Sequence, residues 1–266
     1  MCAALVAVAS GCGSGEGQVF TKNIPAPSLR GNLIGEPVEQ PIAVYLPPRY
    51  ASTADKYPVV YILPGSDTGP GALLDGTYQG FSLVEAMDRL IAEGVIREMI
   101  VVVVNGRNVL GEGFFTHSPA TGEWDRYLVR DVVRYVDKNY KTLPFRETRG
   151  IAGFSTGGTA ALQIAMRYPE VFSAVYATSP VAIDSVDDKV RAYGDSALEL
   201  EGIVVEVGKG ERDEGIVEGC IKFSDSMDEI GAAHRMVQFN GAHEDLIRQR
   251  IEQYMLPFFS GVLGLE

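Results

Sequence analysis

Three residues far apart in the chain carry the types that nucleophilic acyl chemistry needs: Ser155, Asp213 and His243. A serine hydroxyl is a poor nucleophile at neutral pH. It requires a neighbouring base, and that base requires a carboxylate to orient it. Ser155 lies in Gly153-Phe154-Ser155-Thr156-Gly157, a Gly-x-Ser-x-Gly sequence. Before it, Thr148–Gly153 is a short apolar run that reads as a buried strand. After it, Ala160, Ala161, Ile164, Ala165 and Tyr168 recur at helical spacing, and Pro169 ends the run. Strand, tight turn and helix together predict a nucleophile elbow with Ser155 exposed at its tip. The two glycines let strand and helix approach. The backbone N–H of Thr156 then points to where an oxyanion would form.

The chain has only three histidines to serve as base. His117 precedes the serine. His234 opens the last strand. His243 follows that strand in the turn Gly241-Ala242-His243, at the sheet edge where it would meet Ser155. It is the expected base. The acid should follow the preceding strand, where Glu211, Asp213 and Glu214 all lie. Asp213 is the first choice and Glu211 the second. Asp184, Asp187 and Asp188 are outside candidates. The second oxyanion donor is expected after the strand Pro58–Leu63, with the N–H of Ser66 first and Asp67 second.

The elements that must position these residues alternate along the chain. Strands are expected at 41–46, 58–63, 99–104, 148–153, 172–178, 203–207 and 235–239. Helices are expected at 83–93, 127–140, 159–168, 214–231 and 246–258. Ser82-Leu83-Val84-Glu85 is a capping box that opens the first of these helices. Such alternation implies an α/β fold with a mostly parallel central sheet flanked by helices on both faces. The wholly apolar strands agree, since a covered parallel sheet needs no polar face. Asn105–Glu123 is a long loop at a strand end, where sites are built. Trp124 reads as packing beneath the site, and His117 as an ordinary loop residue.

The bulk numbers fit one domain over residues 18–266. The chain has 266 residues, 46% of them hydrophobic, and a formal charge of −12 that argues against nucleic acid or anionic membranes as partners. Three cysteines make no disulfide framework, and Cys220 reads as a core residue on a helix. No Cys/His cluster has metal-ligand spacing. Gly208-Lys209-Gly210 lacks the Gly-Lys-Ser/Thr that completes a phosphate loop. No metal site is therefore expected. No apolar run reaches membrane-spanning length. Residues 1–17 differ from the rest: an apolar small-residue run leads to Ser10-Gly11-Cys12 and then a Gly/Ser tether. This resembles the end of a bacterial signal with a lipoprotein-type Cys12, which implies an exported protein, soluble or lipid-anchored. The oligomeric state is left open, a homo-oligomer included.

Further stretches carry a family resemblance: Val44-Tyr45-Leu46-Pro47-Pro48, Tyr57-Pro58-Val59-Val60-Tyr61, Asn105-Gly106-Arg107-Asn108, Ser118 to Trp124, Arg149 to Gly158, and Phe172 to Pro180. Together they resemble the bacterial esterases that include S-formylglutathione hydrolase (esterase D), feruloyl and acetyl-xylan esterases, and mycolyltransferases. The likeness runs from about Leu29 to Phe259. It implies the α/β-hydrolase fold and a carboxylic ester hydrolase of small acyl or carbohydrate-linked esters. It also implies the triad Ser155, Asp213 and His243, without a cofactor. Acyl transfer by the same triad, or a non-catalytic binding module on the same scaffold, are the rival readings. Pro64, Phe154 and Thr156 depart from residues common in that family, and no tryptophan follows His243.

Overall fold

Ile100–Val104 is five apolar residues in a row, and such a strand is stable only with both faces covered. The computed structural model describes residues 15–65, 68–76, 78–111, 115–181, 194–211 and 213–264. A separate small ladder, β5 (His117–Ser118) with β6 (Gly122–Glu123), lies inside the long loop. The main sheet has eight strands. In spatial order they are β1 (Gln18–Pro25), β2 (Glu39–Leu46), β4 (Ile100–Val104), β3 (Val59–Leu63), β7 (Arg149–Phe154), β8 (Ala174–Thr178), β9 (Gly202–Gly208) and β10 (Arg235–Phe239). The first two pairings, β1 with β2 and β2 with β4, are antiparallel. All the others are parallel. The order of the six parallel strands brings the ends of β3, β7, β8, β9 and β10 side by side along one rim.

Helices cover both faces. On one face Val44, Tyr61, Val102, Ile151 and Val175 pack against α3 (Val133–Asn139), α4 (Thr156–Arg167) and α5 (Glu214–Ile230). On the other, Tyr45, Ile62, Val101 and Tyr176 pack against α1 (Leu83–Ala92) and the C-terminal helices α6 (Ile247–Arg250) and α7 (Leu256–Val262). Alternate strand residues feed the two layers, as the pleat requires. The short α2 (Trp124–Arg126) joins α3 through a π-wound turn at Tyr127–Val132, and a second π turn at Ile251–Met255 joins α6 to α7. Ser82 caps α1 as the capping box predicts, its hydroxyl accepting from Glu85 N–H at 3.3 Å. Cys220 is buried and unpaired, and burial pushes its thiol up to about 12.

Two departures from the sequence reading have physical reasons. Strand β1 was not expected. It is an edge strand in which only Ile24 is fully buried, so it carries no clean apolar alternation, and only its ladder with β2 defines it. Helix α4 begins at Thr156, three residues before the expected start at 159, because its first turn is Thr156-Gly157-Gly158, which has no apolar spacing. The signal-like residues 1–14 lie outside the described residues. Gly17 is already tied down, its N–H donating to Asp88 Oδ2 at 2.8 Å.

Candidate active site

Ser155 sits at φ +54°, ψ −120°, between the end of β7 and the start of α4. A non-glycine residue there is strained and persists only where its surroundings hold it. Its N–H donates to the Thr178 carbonyl at 2.9 Å, and its own carbonyl accepts from Gly158 and Thr159 at 3.0 and 3.2 Å. The two elbow glycines are required by space. A Cβ on Gly153 would lie 2.0 Å from the Gly157 oxygen, and one on Gly157 would lie 2.2 Å from the Leu63 oxygen. Both obstacles are backbone. Gly157→Ala is therefore expected to destabilise the fold by about 3 kcal/mol. An unfolding midpoint equal to the parent's in urea would contradict this account of the elbow.

His243 follows β10 and Asp213 follows β9, and glycines press the two loops together. A Cβ on Gly208 would lie 2.5 Å from the Gly241 oxygen. One on Gly210 would lie 2.8 Å from Ala242 Cα and 2.7 Å from Asp213 Oδ2. The Gly-Lys-Gly stretch thus serves the close approach of the two loops. Asp213 is only 4% exposed, whereas Glu211 and Glu214 face solvent. Burial therefore separates the three acids that spacing left open. Oδ2 of Asp213 and Nδ1 of His243 are among the buried side-chain atoms that have no hydrogen-bond partner. Buried polar atoms are rarely orphaned, and these two are complementary, one accepting and the other able to donate.

Burial pushes the His243 imidazole below its ordinary 6.5. The Asp213 carboxylate pulls it back up, Arg250 adds to the lowering, and Glu244 opposes it. A base must be neutral to work, so the acid limb of kcat/KM is expected to have its midpoint below pH 6.5. Activity should rise with pH through that midpoint. A limb centred clearly above 6.5 would count against His243 as the base.

Ser155 and His243 line one cavity of about 130 Å³, together with Gly65, Thr68, Tyr78 and Phe154. Ser66 and Asp67, the expected second oxyanion donors, lie outside the described residues, between the lining residues Gly65 and Thr68. Arg212 and the outside candidates Asp184, Asp187 and Asp188 also lie outside them. Thr156 occupies the first position of α4, beside the serine. The other histidines do not reach this cavity. His117 is well exposed and lies 3.6 Å from Glu123. His234 is spent on structure: its Nε2 meets Ser224 Oγ at 2.6 Å and its Nδ1 meets the Ala232 carbonyl at 3.0 Å. Trp124 is buried, donates to the Thr121 carbonyl, and stacks edge-on with Phe115 and Tyr127, which makes it packing.

One group of residues beside the site escapes sequence reasoning. Arg250 is 2% exposed, as is its ion-pair partner Glu206, with Nε to Oε1 at 2.7 Å. Its Nη1 donates to the His243 carbonyl at 2.8 Å, and its Nη2 to Ser179 Oγ at 2.7 Å. The Tyr176 hydroxyl donates to the other oxygen of Glu206 at 2.5 Å. Helical spacing shows an arginine near the chain's end but not whether it turns inward.

Among the described residues no cluster of three or more His, Cys, Asp or Glu could hold a metal ion. None of the described helices is long and apolar enough to cross a membrane. The model of a family described as "Putative esterase" matches residues 37–216. An endo-1,4-beta-xylanase/feruloyl esterase of Xylanibacter ruminicola is 32% identical over 134 residues, which are 48% of this chain and 18% of that protein. An esterase of Mycobacterium tuberculosis is 24% identical over 132 residues, 48% of this chain and 26% of that protein. The matched stretches thus span about a quarter or less of these relatives' length. Among solved structures, a ferulic acid esterase superposes with a TM-score of 0.78 at 21% identity, over 93% of this chain and 99% of that one. An S-formylglutathione hydrolase from Agrobacterium tumefaciens gives 0.67 at 18% identity, over 97% and 99%. At these identities the structural likeness is one of fold, and the fold is that of α/β-hydrolase esterases.

Proposed function

The chain belongs to the Esterase family, and from that premise we propose that it hydrolyses carboxylic esters through Ser155, His243 and Asp213. His243 Nε2 takes the Ser155 proton as Oγ attacks the ester carbonyl. Asp213 accepts from Nδ1–H, which fixes the tautomer and stabilises the imidazolium that forms. The N–H groups of Thr156 and Ser66 hold the tetrahedral oxyanion. The imidazolium protonates the leaving alcohol. Water, activated by the same imidazole, then releases the acid from the acyl-enzyme.

One observation carries this reading. The strained Ser155 shares a cavity with His243, while the buried Nδ1 of His243 and Oδ2 of Asp213 each lack a hydrogen-bond partner. The relatives favour small acyl or carbohydrate-linked esters as substrates. The run ending at Cys12 favours an exported enzyme, free or lipid-anchored. A fluorophosphonate probe should label Ser155 stoichiometrically, and an ester panel from acetyl to feruloyl should show turnover. A folded protein that neither reacts with the probe nor turns over any member of the panel would end the proposal.

A further inference from the structure

The imidazole of His243 is carried by a short turn, and turns need support to hold a catalytic group within a fraction of an ångström. That support comes from beneath. Leu246, which caps α6, sits at φ +57°, and Ser179, at the end of β8, sits at φ +45°. Both are strained non-glycine residues, and both touch Arg250. The Arg250 N–H donates to the Leu246 carbonyl at 2.9 Å, and Arg250 Nη2 donates to Ser179 Oγ. The guanidinium also holds the carbonyls of His243 and Asp245, at 2.8 and 3.3 Å. It lies over the Phe239 ring at 4.2 Å, at the end of β10. Its charge is answered by Glu206 on β9, which Tyr176 on β8 holds in turn. The Ser179 N–H donates to the Glu206 carbonyl at 2.6 Å, closing the network. One side chain therefore ties the ends of β8, β9 and β10 to the turn that carries the base.

We propose that Arg250, anchored on Glu206, is a positioning residue that fixes the main chain of His243 and so sets the imidazole against Ser155. The proposal rests on the reading of Ser155 and His243 as nucleophile and base. The alternative is a clamp that only joins α6 to the sheet. Buried ion pairs often add little net stability over apolar groups of similar shape, so a pair kept here has a reason to be sought in geometry. The charged and titratable groups around the imidazole are Asp213 from the β9–α5 loop, Glu244 on its own turn, and Arg250 from α6 with Glu206 and Tyr176 behind it. Tyr78 lines the same cavity.

Two variants separate a positioning role from a clamp. Arg250→Lys keeps the charge and loses the fork. The double variant Arg250→Met with Glu206→Gln removes both charges, so none is stranded in the core. Each is measured for unfolding midpoint, for active sites titrated with a fluorophosphonate, and for kcat, KM and pH profile on p-nitrophenyl acetate. Misplacing a base by about an ångström costs up to about 100-fold, so kcat per titrated site should fall about 10- to 100-fold with KM nearly unchanged. In Arg250→Lys the midpoint of the acid limb should stay. In the double variant it should move up, because a cation that disfavours the imidazolium is gone. Folded variants with parental kcat per site and a parental acid limb would overturn the proposal. Failure of both variants to fold would also overturn it, by making the network a structural clamp. Ser155→Ala, run alongside, keeps the two claims apart. Retained turnover there sinks the esterase reading, while its loss there with unaffected Arg250 variants sinks only the positioning role.

Discussion

Ser155→Ala is expected to lower kcat on p-nitrophenyl acetate by about 10⁴-fold or more, with the unfolding midpoint nearly unchanged. The fold should tolerate the change because the elbow's hydrogen bonds belong to its backbone, through Thr178, Gly158 and Thr159. Alanine keeps the Cβ and the same strained φ. Loss of the Oγ removes the only atom that can carry the acyl group, so the two-step route closes. What remains is oxyanion stabilisation and binding, which alone still accelerate water attack by about 10³- to 10⁴-fold. His243→Ala should cost about as much, and the double variant about the same as either single one, since nucleophile and base act as a unit. Additive losses would mean that the two residues serve separate steps. Undiminished turnover in Ser155→Ala would place the chemistry elsewhere.

The serine and the imidazole were legible in the sequence because each sits at a punctuation point. Ser155 stands between an apolar strand and a helix, and its flanking glycines leave little else for the turn to be. His243 stands just after the last strand, at the rim where the elbow opens. The acid was less legible. Glu211, Asp213 and Glu214 share one loop and helix start, and spacing ranks them weakly. Burial sets Asp213 apart from the other two, and it follows from how Gly210 meets Ala242, a contact between two loops about 30 residues apart. The parallel strands could be read from unbroken apolar runs, while β1 could not, because an edge strand half in solvent has no such run. Arg250 was illegible for a different reason. An arginine on an amphipathic helix normally marks the wet face, and here it marks the dry one. Nothing local distinguishes it from Arg248, whose side chain lies in solvent.

Asp213→Asn is expected to lower kcat by about 10⁴-fold, and Glu211→Gln to change it by less than about twofold. The contrast follows from what each carboxylate faces. Asp213 is buried with an unpartnered Oδ2, while Glu211 is hydrated. An asparagine of the same shape can present its NH₂ group to Nδ1. That makes Nδ1 the acceptor and leaves the proton on Nε2, facing the serine, where a base needs a lone pair. Geometry survives and the tautomer is wrong. The charge is lost as well, so nothing stabilises the imidazolium as Oγ attacks. Because Asp213 raises the His243 pKa, its removal should also shift the acid limb of any residual activity further down in pH. Stability should move little by comparison, since a neutral side chain replaces a buried carboxylate whose Oδ2 has no hydrogen-bond partner. If Asp213→Asn keeps parental kcat while Glu211→Gln loses it, the acid is Glu211, and the loop between β9 and α5 must close differently over His243 when substrate binds.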